Sequence, residues 1–66
     1  MDITVNGEAR RMTGPLTVAG LLSALALEPR KIAVERNLEI VPKSRYGEIA
    51  LADGDRIEIV QFVGGG

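Results

Sequence analysis

The sequence predicts an α+β domain in which a mixed sheet is covered on one face by a single main helix. Segments of period-two alternation lie towards both ends of the chain, and one amphipathic segment of helical period lies between them. The chain has 66 residues. A chain of this length buries only about 60% of its unfolded surface, so it has room for one core and one domain.

The N-terminal segment predicts a β-hairpin. Ile3-Thr4-Val5 alternates apolar and polar residues, which is typical of a half-buried strand. Asn6-Gly7 follows directly and favours a type I′ turn, because both residues tolerate positive φ. The segment from Glu8 to Met12 then returns as a second strand, which we expect to be more polar and less buried.

A helix is predicted to begin after Thr17, whose hydroxyl can accept a hydrogen bond from a free backbone N–H of the first turn. The apolar residues that follow have the spacing of one buried helix face, and they are Val18, Leu21, Leu22 and Leu25. Gly20 costs about 1 kcal/mol of helix propensity relative to alanine. We interpret Gly20 as permitting close packing of the helix on the sheet. The helix is expected to end before Pro29, because proline disfavours helical geometry in the residue before it.

The segment after the helix predicts two strands and a helical turn. Ile32-Ala33-Val34-Glu35 and Ile40-Val41 read as strands that flank a turn over residues 36–39. Asn37 suits that turn because asparagine tolerates the left-handed conformation. Lys43 to Tyr46 is predicted to form a helical turn with its aromatic ring laid against the body of the domain.

A tight turn and a last strand follow. Asp53-Gly54-Asp55 is the turn, and its two carboxylates are more typical of turn formation than of a general acid–base pair. Arg56 to Val60 alternates strongly. If the first and last strands lie side by side in parallel, the helix supplies part of the crossover connection between them. This order of elements is the β-grasp arrangement, with one helix layered on one sheet.

The last three residues, Gly64-Gly65-Gly66, carry most of the information about function. Glycine has no Cβ and is entropically costly to order, so these residues predict a flexible tail, 64–66, attached to a domain, 1–63. Fully extended, three residues reach roughly 10 Å, enough to carry a terminal carboxylate into a narrow site of another protein. For the glycines alone, an ordinary frayed terminus is the alternative interpretation.

The composition excludes several function classes. Without cysteine or histidine the chain has no disulfide, no thiolate site and no imidazole base or metal ligand. A net charge of −1 with scattered basic residues argues against nucleic-acid and anionic-membrane partners. The N-terminus lacks the pattern of a signal peptide, and no apolar run approaches the roughly 20 residues of a membrane span. We therefore expect a cytoplasmic protein with no catalytic or metal site of its own.

Four segments of the chain match the pattern of a known family. They are Val5-Asn6-Gly7-Glu8, the stretch from Ile40 to Tyr46, the stretch from Leu51 to Ile59, and the ending Phe62-Val63-Gly64-Gly65-Gly66. Together they resemble the ThiS family of sulfur carriers in thiamin biosynthesis, which are ubiquitin-like β-grasp proteins. The most specific part is the spacing between the Asp-Gly-Asp turn and the terminal glycines. The family ends in two glycines, which map onto Gly65 and Gly66, so Gly64 serves as a spacer.

The resemblance implies a function in which the chain is modified and is not itself an enzyme. A ThiF-like partner uses ATP, with magnesium, to adenylate the carboxylate of Gly66, and sulfur from a persulfide donor then displaces AMP. The resulting thiocarboxylate delivers its sulfur to a ThiG-like thiazole synthase. The chain binds no cofactor in this scheme, and its tail is recognised through Gly65 and Gly64.

The last strand also predicts a partner-binding patch beside the tail. Ile57 and Ile59 share one parity and would face the helix, so Val60 and Phe62 would face outward. An outward aromatic next to the functional end fits a docking anchor, and we expect Phe62, Val60 and Val63 to contact the partner. A bulge after Ile59 would instead turn Phe62 into the core, and both interpretations stay open on the sequence.

Two other functions fit parts of the pattern. The small subunit of molybdopterin synthase, a MoaD-like carrier, uses the same terminal chemistry, but its relatives are usually longer between the helix and the last strand. A plain β-grasp binding module with incidental glycines is the other alternative. With one Phe, one Tyr and no basic surface run, stacking on nucleic acid is disfavoured.

Overall fold

A computed structural model describes residues 1–62 of the chain. Within this range the strands are β1 (Asp2–Val5), β2 (Glu8–Arg11), β3 (Ile32–Arg36), β4 (Glu39–Val41) and β5 (Arg56–Gln61), and the α-helix is α1 (Val18–Ala24). The strands form one sheet in the order β2-β1-β5-β3-β4. β1 and β5 are parallel and the other neighbours are antiparallel. The predicted mixed sheet under one main helix and the β-grasp arrangement are confirmed.

Both hairpins turn through residues with positive φ. Asn6 and Gly7 have φ of 50° and 82°, and they join β1 to β2 as the sequence predicts. Asn37 and Leu38 have φ of 51° and 72° and join β3 to β4 in the same way. β2 is exposed along its whole length, in agreement with its polar sequence.

The helix begins where its cap was predicted and is short. The Thr17 hydroxyl accepts a hydrogen bond from the Gly20 N–H at 3.0 Å. At the other end Leu25 is the C-cap, and Ala26 takes the left-handed conformation with φ of 58°. The Leu27 N–H then returns to the Leu22 carbonyl at 2.9 Å, which completes a Schellman motif. Leu25, predicted as part of the buried stripe, is therefore a half-buried cap beyond the last helical residue.

The interpretation of Gly20 as a helix–sheet contact is wrong. A Cβ at this position would lie 2.9 Å from Leu16 Cδ1. Its three nearest atoms all belong to Leu16 and Thr17, and none belongs to the sheet. The close approach is thus to the loop that precedes the helix. It follows from the way this loop folds back over the first helical turn.

The segment between β4 and β5 anchors the start of the helix. The first helical N–H groups have no partner inside a helix and must find one elsewhere. The Val18 N–H donates to the Ile49 carbonyl at 3.0 Å, and the Ala19 N–H donates to the Tyr46 carbonyl at 2.8 Å. This segment begins with a 3-10 turn over Lys43–Arg45, where the helical turn was predicted.

One core lies between the helix and the sheet. Its buried apolar residues are Ile3, Val5, Val18, Leu21, Leu22, Ile32, Val34, Val41, Tyr46, Leu51, Ile57 and Ile59. The α-helix covers this face of the sheet, whereas Val60 and Phe62, on the opposite face, are exposed. The end of β5 therefore lies at the boundary between a covered face and an open one.

Candidate functional site at the end of the last strand

The predicted site divides into a part that the structure describes and a part outside it. Val60 and Phe62 belong to the described residues. Val63, Gly64, Gly65 and Gly66 lie outside them, so their predicted roles in docking, tail recognition and modification stay predictions. The described part shows which side chains of the last strand are exposed just before these residues.

β5 keeps its alternation to its end. Ile57 and Ile59 are buried, whereas Val60 is 61% exposed and Phe62 is 54% exposed. The pairing of β5 with β3 runs without interruption to Gln61, and the Phe62 N–H donates to the Lys31 carbonyl at 2.9 Å. No bulge intervenes, so Phe62 faces outward and the alternative in which it joins the core is wrong.

A lysine covers one side of the Phe62 ring. Lys43 Nζ lies 5.3 Å from the ring centroid, and it also donates a hydrogen bond to the Arg30 carbonyl at 3.0 Å. A cation over an aromatic face at an exposed site is worth about 0.5–1 kcal/mol. The second contact holds the ammonium group in place, so the ring is oriented while much of its surface stays open to solvent.

The open face of the sheet has further apolar residues that the sequence analysis did not single out. Ile40 is 76% exposed, and it pairs with Glu35 on β3, one strand away from β5. Leu38, at the tip of the β3–β4 hairpin, is 88% exposed. The sequence contained one sign of this exposure, because Ile40 belongs to a predicted strand of only two residues, and short strands often lie at the edge of a sheet. Ile40 is thus a third exposed apolar residue on the outer face besides Val60 and Phe62, and Glu35 and Glu58 lie on the same face.

The Asn6 side chain does more than form the predicted turn. β1 ends at Val5, and beyond it the Asn6 carboxamide pairs with β5 as a strand residue would. Asn6 Oδ1 accepts from the Ile59 N–H at 2.7 Å, and Asn6 Nδ2 donates to the Ile59 carbonyl at 3.1 Å. The hairpin turn therefore also fixes the position of β5 three residues before Phe62.

The Asp-Gly-Asp turn joins three parts of the fold. Asp53 Oδ1 accepts from the Asp2 N–H, and Asp55 Oδ2 accepts from the Ala52 N–H at 2.8 Å. The Asp55 carboxylate also accepts from Arg36 Nε at 2.8 Å and from the side chain of Asn37, in the β3–β4 hairpin. These contacts bear out the interpretation of the two carboxylates as turn formers.

The environment of Asp55 has opposing effects on its pKa. Burial of the carboxyl raises the pKa, but the hydrogen bonds from Arg36, Ala52 and Asn37 outweigh burial, and the pKa lies below its ordinary value. Asp55 is thus held as a structural anion with all of its partners inside the fold. It is not available as a proton donor or acceptor for a substrate.

Two further features of residues 1–62 concern metal ions and membranes. These residues hold no group of three or more His, Cys, Asp or Glu side chains placed to bind a metal ion. None of their helices is long and apolar enough to cross a bilayer. Within residues 1–62 the last strand, β5, ends beside the exposed ring of Phe62, and in the sequence Val63 and the three glycines follow.

Comparison with known proteins identifies a family and individual proteins that are similar to this chain. A model of the ThiS family matches residues 3–66. The sulfur carrier protein ThiS of Bacillus subtilis is 54% identical over 50 residues, which is 76% of each chain. The crystal structure of the thiamine biosynthesis protein ThiS from Geobacter metallireducens is similar with a TM-score of 0.86 and 36% identity, and the match covers 100% of both chains.

A longer relative contains a similar region. A thiazole synthase of Paramagnetospirillum magneticum is 54% identical over 66 residues, which is 100% of this chain and 20% of that protein. The chain therefore spans about a fifth of the length of this relative.

Proposed function

The chain belongs to the ThiS family, and we propose that it carries sulfur for thiamin biosynthesis as a thiocarboxylate on Gly66. The single observation that carries this proposal is the match to the family model, which extends through residue 66. The residue inventory agrees with it. A carrier without cysteine has no thiol on which to hold sulfur, and the proposal places the sulfur on the carboxylate of Gly66 instead.

The proposed chemistry starts with activation, because an anionic carboxylate is a poor electrophile. The α-carboxyl group has an ordinary pKa of about 3.3–3.7 and is ionised at pH 7. Its oxygen attacks the α-phosphorus of ATP, pyrophosphate leaves, and an acyl-adenylate forms on Gly66. An adenylating enzyme of the ThiF type, with magnesium, supplies this step. The present chain is the substrate and supplies no catalytic group.

Sulfur then replaces the adenylate. Hydrosulfide attacks the acyl carbon, AMP leaves, and a thiocarboxylate remains. Where the donor is a persulfide, its outer sulfur attacks first, and a thiol must reduce the resulting acyl disulfide to release the thiocarboxylate. A thiazole synthase of the ThiG type is the proposed acceptor. We place these steps in the cytoplasm.

The geometry at the end of β5 supports this function. Partner enzymes must hold the domain while its glycines enter a narrow site, and an exposed apolar face next to the tail suits that task. Val60 and Phe62 supply that face on β5, and the ring of Phe62 is oriented by Lys43. We propose that these residues, with Val63, contact the adenylating enzyme, and that Gly64 and Gly65 pass through its entrance.

Intact-mass measurement tests the function. The chain is incubated with the adenylating enzyme, ATP, magnesium and a sulfur donor, and Gly66 should exchange one oxygen for sulfur, a gain of about 16 Da by elementary mass balance. A chain shortened by Gly66 is the matched control, because it keeps the folded domain and removes the proposed modified residue. An unchanged mass with a partner shown to be active on another carrier contradicts the proposal. The mass of the protein isolated from its own cells checks that the functional chain ends at Gly66, as the mechanism requires.

A further inference from the structure

We propose that the backbone of Gln61 is a docking edge to which an extended segment of the adenylating enzyme adds as a short β-strand. The partner backbone bonds to the N–H and C=O of Gln61, and one apolar side chain of the segment enters the adjacent groove. The inference rests on the proposed function for the identity of the partner. It concerns a part of the chain that neither the tail chemistry nor the outer apolar face uses.

Successive residues of β5 direct their backbone groups to opposite neighbours. The Phe62 N–H donates to the Lys31 carbonyl at 2.9 Å, so Phe62 bonds on the side of β3. In an antiparallel pair the bonded positions alternate, so the even-numbered residues of β5 face β3. The odd-numbered residues face β1, and the Ile57 carbonyl accepts there from the Asn6 N–H at 2.9 Å. Gln61 is odd-numbered and directs its backbone groups to the side of β1.

On that side the neighbouring strand ends too early to reach Gln61. The register of β1 with β5 stops at Val5 and Ile57. The Asn6 carboxamide extends the ladder by one step and satisfies both backbone groups of Ile59 at 2.7 and 3.1 Å. Gln61 is the next position, and within residues 1–62 no backbone or side-chain group makes a hydrogen bond to its backbone. Among the described residues its N–H and C=O therefore form an unpaired strand edge.

The free edge opens onto a groove on the helix side of the sheet. The groove has a volume of about 430 Å³, and Val5 and Ile59 are among its lining residues, together with Leu25 and Leu27 from the end of the helix. It exists because α1 stops at Ala24 and the chain turns away at the Schellman motif. The far end of the sheet is left without a helix above it.

The residues that line the groove indicate what kind of ligand it can bind. Glu8 and Arg10 lie on β2 at the side of the groove and carry opposite charges, so the groove favours neither an anion nor a cation. The rest of the lining combines two uncharged polar residues with four apolar ones, namely Asn6, Gln61, Val5, Leu25, Leu27 and Ile59, and the backbone groups of Gln61 lie in the plane of the sheet beside it. An extended peptide presents backbone groups at its edge and side chains on alternate faces, which matches both features.

The position of the edge, close to the tail, indicates that the protein that binds the tail also binds this edge. Gln61 lies five residues before Gly66 along the chain. A protein that threads the glycines into its site must have its own chain beside the last residues of β5. The proposed strand addition at Gln61 thus adjoins the proposed contact with the tail. It would set the direction in which the tail leaves β5 and enters the partner.

Amide hydrogen exchange tests the proposal on the unmodified chain. In the free protein the Gln61 amide should exchange much faster than that of Phe62, which is bonded to Lys31. In the complex saturated with the adenylating enzyme, the exchange of Gln61 should slow by at least about tenfold, as expected for a new backbone hydrogen bond. If Gln61 exchanges at its free rate in the saturated complex, the proposal is wrong. Protection that appears instead when the chain alone is concentrated would identify a second copy as the occupant and would also overturn it.

A pair of variants tests the same edge by affinity. Gln61→Pro removes the free N–H and leaves the bonds to β3 in place, since proline is tolerated where the N–H of a strand faces solvent. Gln61→Ala is the matched control, because it removes the side chain and keeps the N–H. We expect KM for adenylation of the tail to be at least about fivefold higher in Gln61→Pro than in Gln61→Ala, which lacks the same side chain but keeps the N–H. Equal KM values for the two variants would overturn the proposal.

The proposed function and the docking edge at Gln61 can be refuted separately. If the parent chain gains no sulfur and binds no adenylating enzyme, the proposed function and the docking edge are both refuted. If the parent is converted normally while Gln61 stays unprotected, only the docking edge is refuted. Should Gln61→Pro fail to fold, the exchange experiment on the parent still decides.

Discussion

Replacing Asp55 by asparagine removes the charge that joins the last turn to the β3–β4 hairpin. Asp55 is only 6% exposed. Its Oδ2 accepts from Arg36 Nε and from the Ala52 N–H, both at 2.8 Å, and its Oδ1 accepts from Asn37 Nδ2 at 3.0 Å. Three donors from two segments, the β3–β4 hairpin and the last turn, therefore share this one carboxylate.

The geometry sets the size of the effect. An asparagine at position 55 can keep one oxygen acceptor, but its NH2 group then faces Asn37 Nδ2, which is also a donor. Asn37 cannot reverse its amide without loss, because its Oδ1 accepts from the Arg56 N–H at 2.9 Å. One hydrogen bond to a charged group is worth about 1.5–3 kcal/mol, and the remaining bonds lose their charge assistance. We expect Asp55→Asn to lower the free energy of unfolding by about 2–4 kcal/mol.

Urea denaturation at pH 7 measures this loss. A domain of this size has a total stability on the order of 3–10 kcal/mol, so the variant should unfold at a clearly lower urea concentration. Asp53→Asn is the matched control, since Asp53 lies in the same turn, is exposed, and accepts a backbone hydrogen bond from Asp2. We expect the control to change the stability by less than about 1 kcal/mol.

The pH dependence provides a second test of the same residue. Burial raises the pKa of Asp55, but the bonds from Arg36, Ala52 and Asn37 lower it below its ordinary value. A lowered pKa in the folded state contributes stability that is fully present above the unfolded value of about 3.9 and is lost as the pH falls through the folded value. The stability difference between the parent and Asp55→Asn should therefore narrow below about pH 4. A difference that stays constant from pH 7 into this acid range would refute the reasoning, as would an equal loss in Asp53→Asn.

Four further outcomes are expected. Phe62→Ala should weaken binding to the adenylating enzyme by about tenfold while costing less than about 1 kcal/mol of stability, since the ring is 54% exposed; a large drop in melting temperature would contradict this. Gly65→Ala should keep the melting temperature and lose most of its turnover as a substrate, because a narrow entrance would not accept a Cβ; unchanged turnover would show a wider entrance. Asn6→Asp keeps the acceptor for the β5 N–H but loses the donor to the β5 carbonyl, so calorimetry or urea should show a loss of about 1–3 kcal/mol. Ala26→Gly should gain about 0.5–1 kcal/mol because the native φ of 58° disfavours a Cβ, whereas Ala24→Gly, inside the helix, should lose a similar amount; the same sign for both variants would contradict the reasoning.

The sequence by itself determined the features that depend on near neighbours along the chain. Asn6-Gly7 predicts its turn because the two residues tolerate positive φ, and Thr17 predicts its cap because its hydroxyl reaches the N–H of Gly20 three residues on. The parity of Ile57 and Ile59 predicts which face of β5 is buried. The order of elements then indicates the β-grasp fold, because few arrangements cover one mixed sheet with a single helix.

The tertiary structure alone decided the features that depend on contacts between distant segments. Asn6 bonds to Ile59, 53 residues away, and no periodicity in the sequence points to this pairing. Asp55 is buried because the β3–β4 hairpin brings Arg36 and Asn37 to it. The free edge at Gln61 depends on where β1 stops relative to β5. The physical reason is that local sequence sets which side chains alternate, whereas the neighbour of each strand and the length of their pairing are set by the packing of the whole sheet.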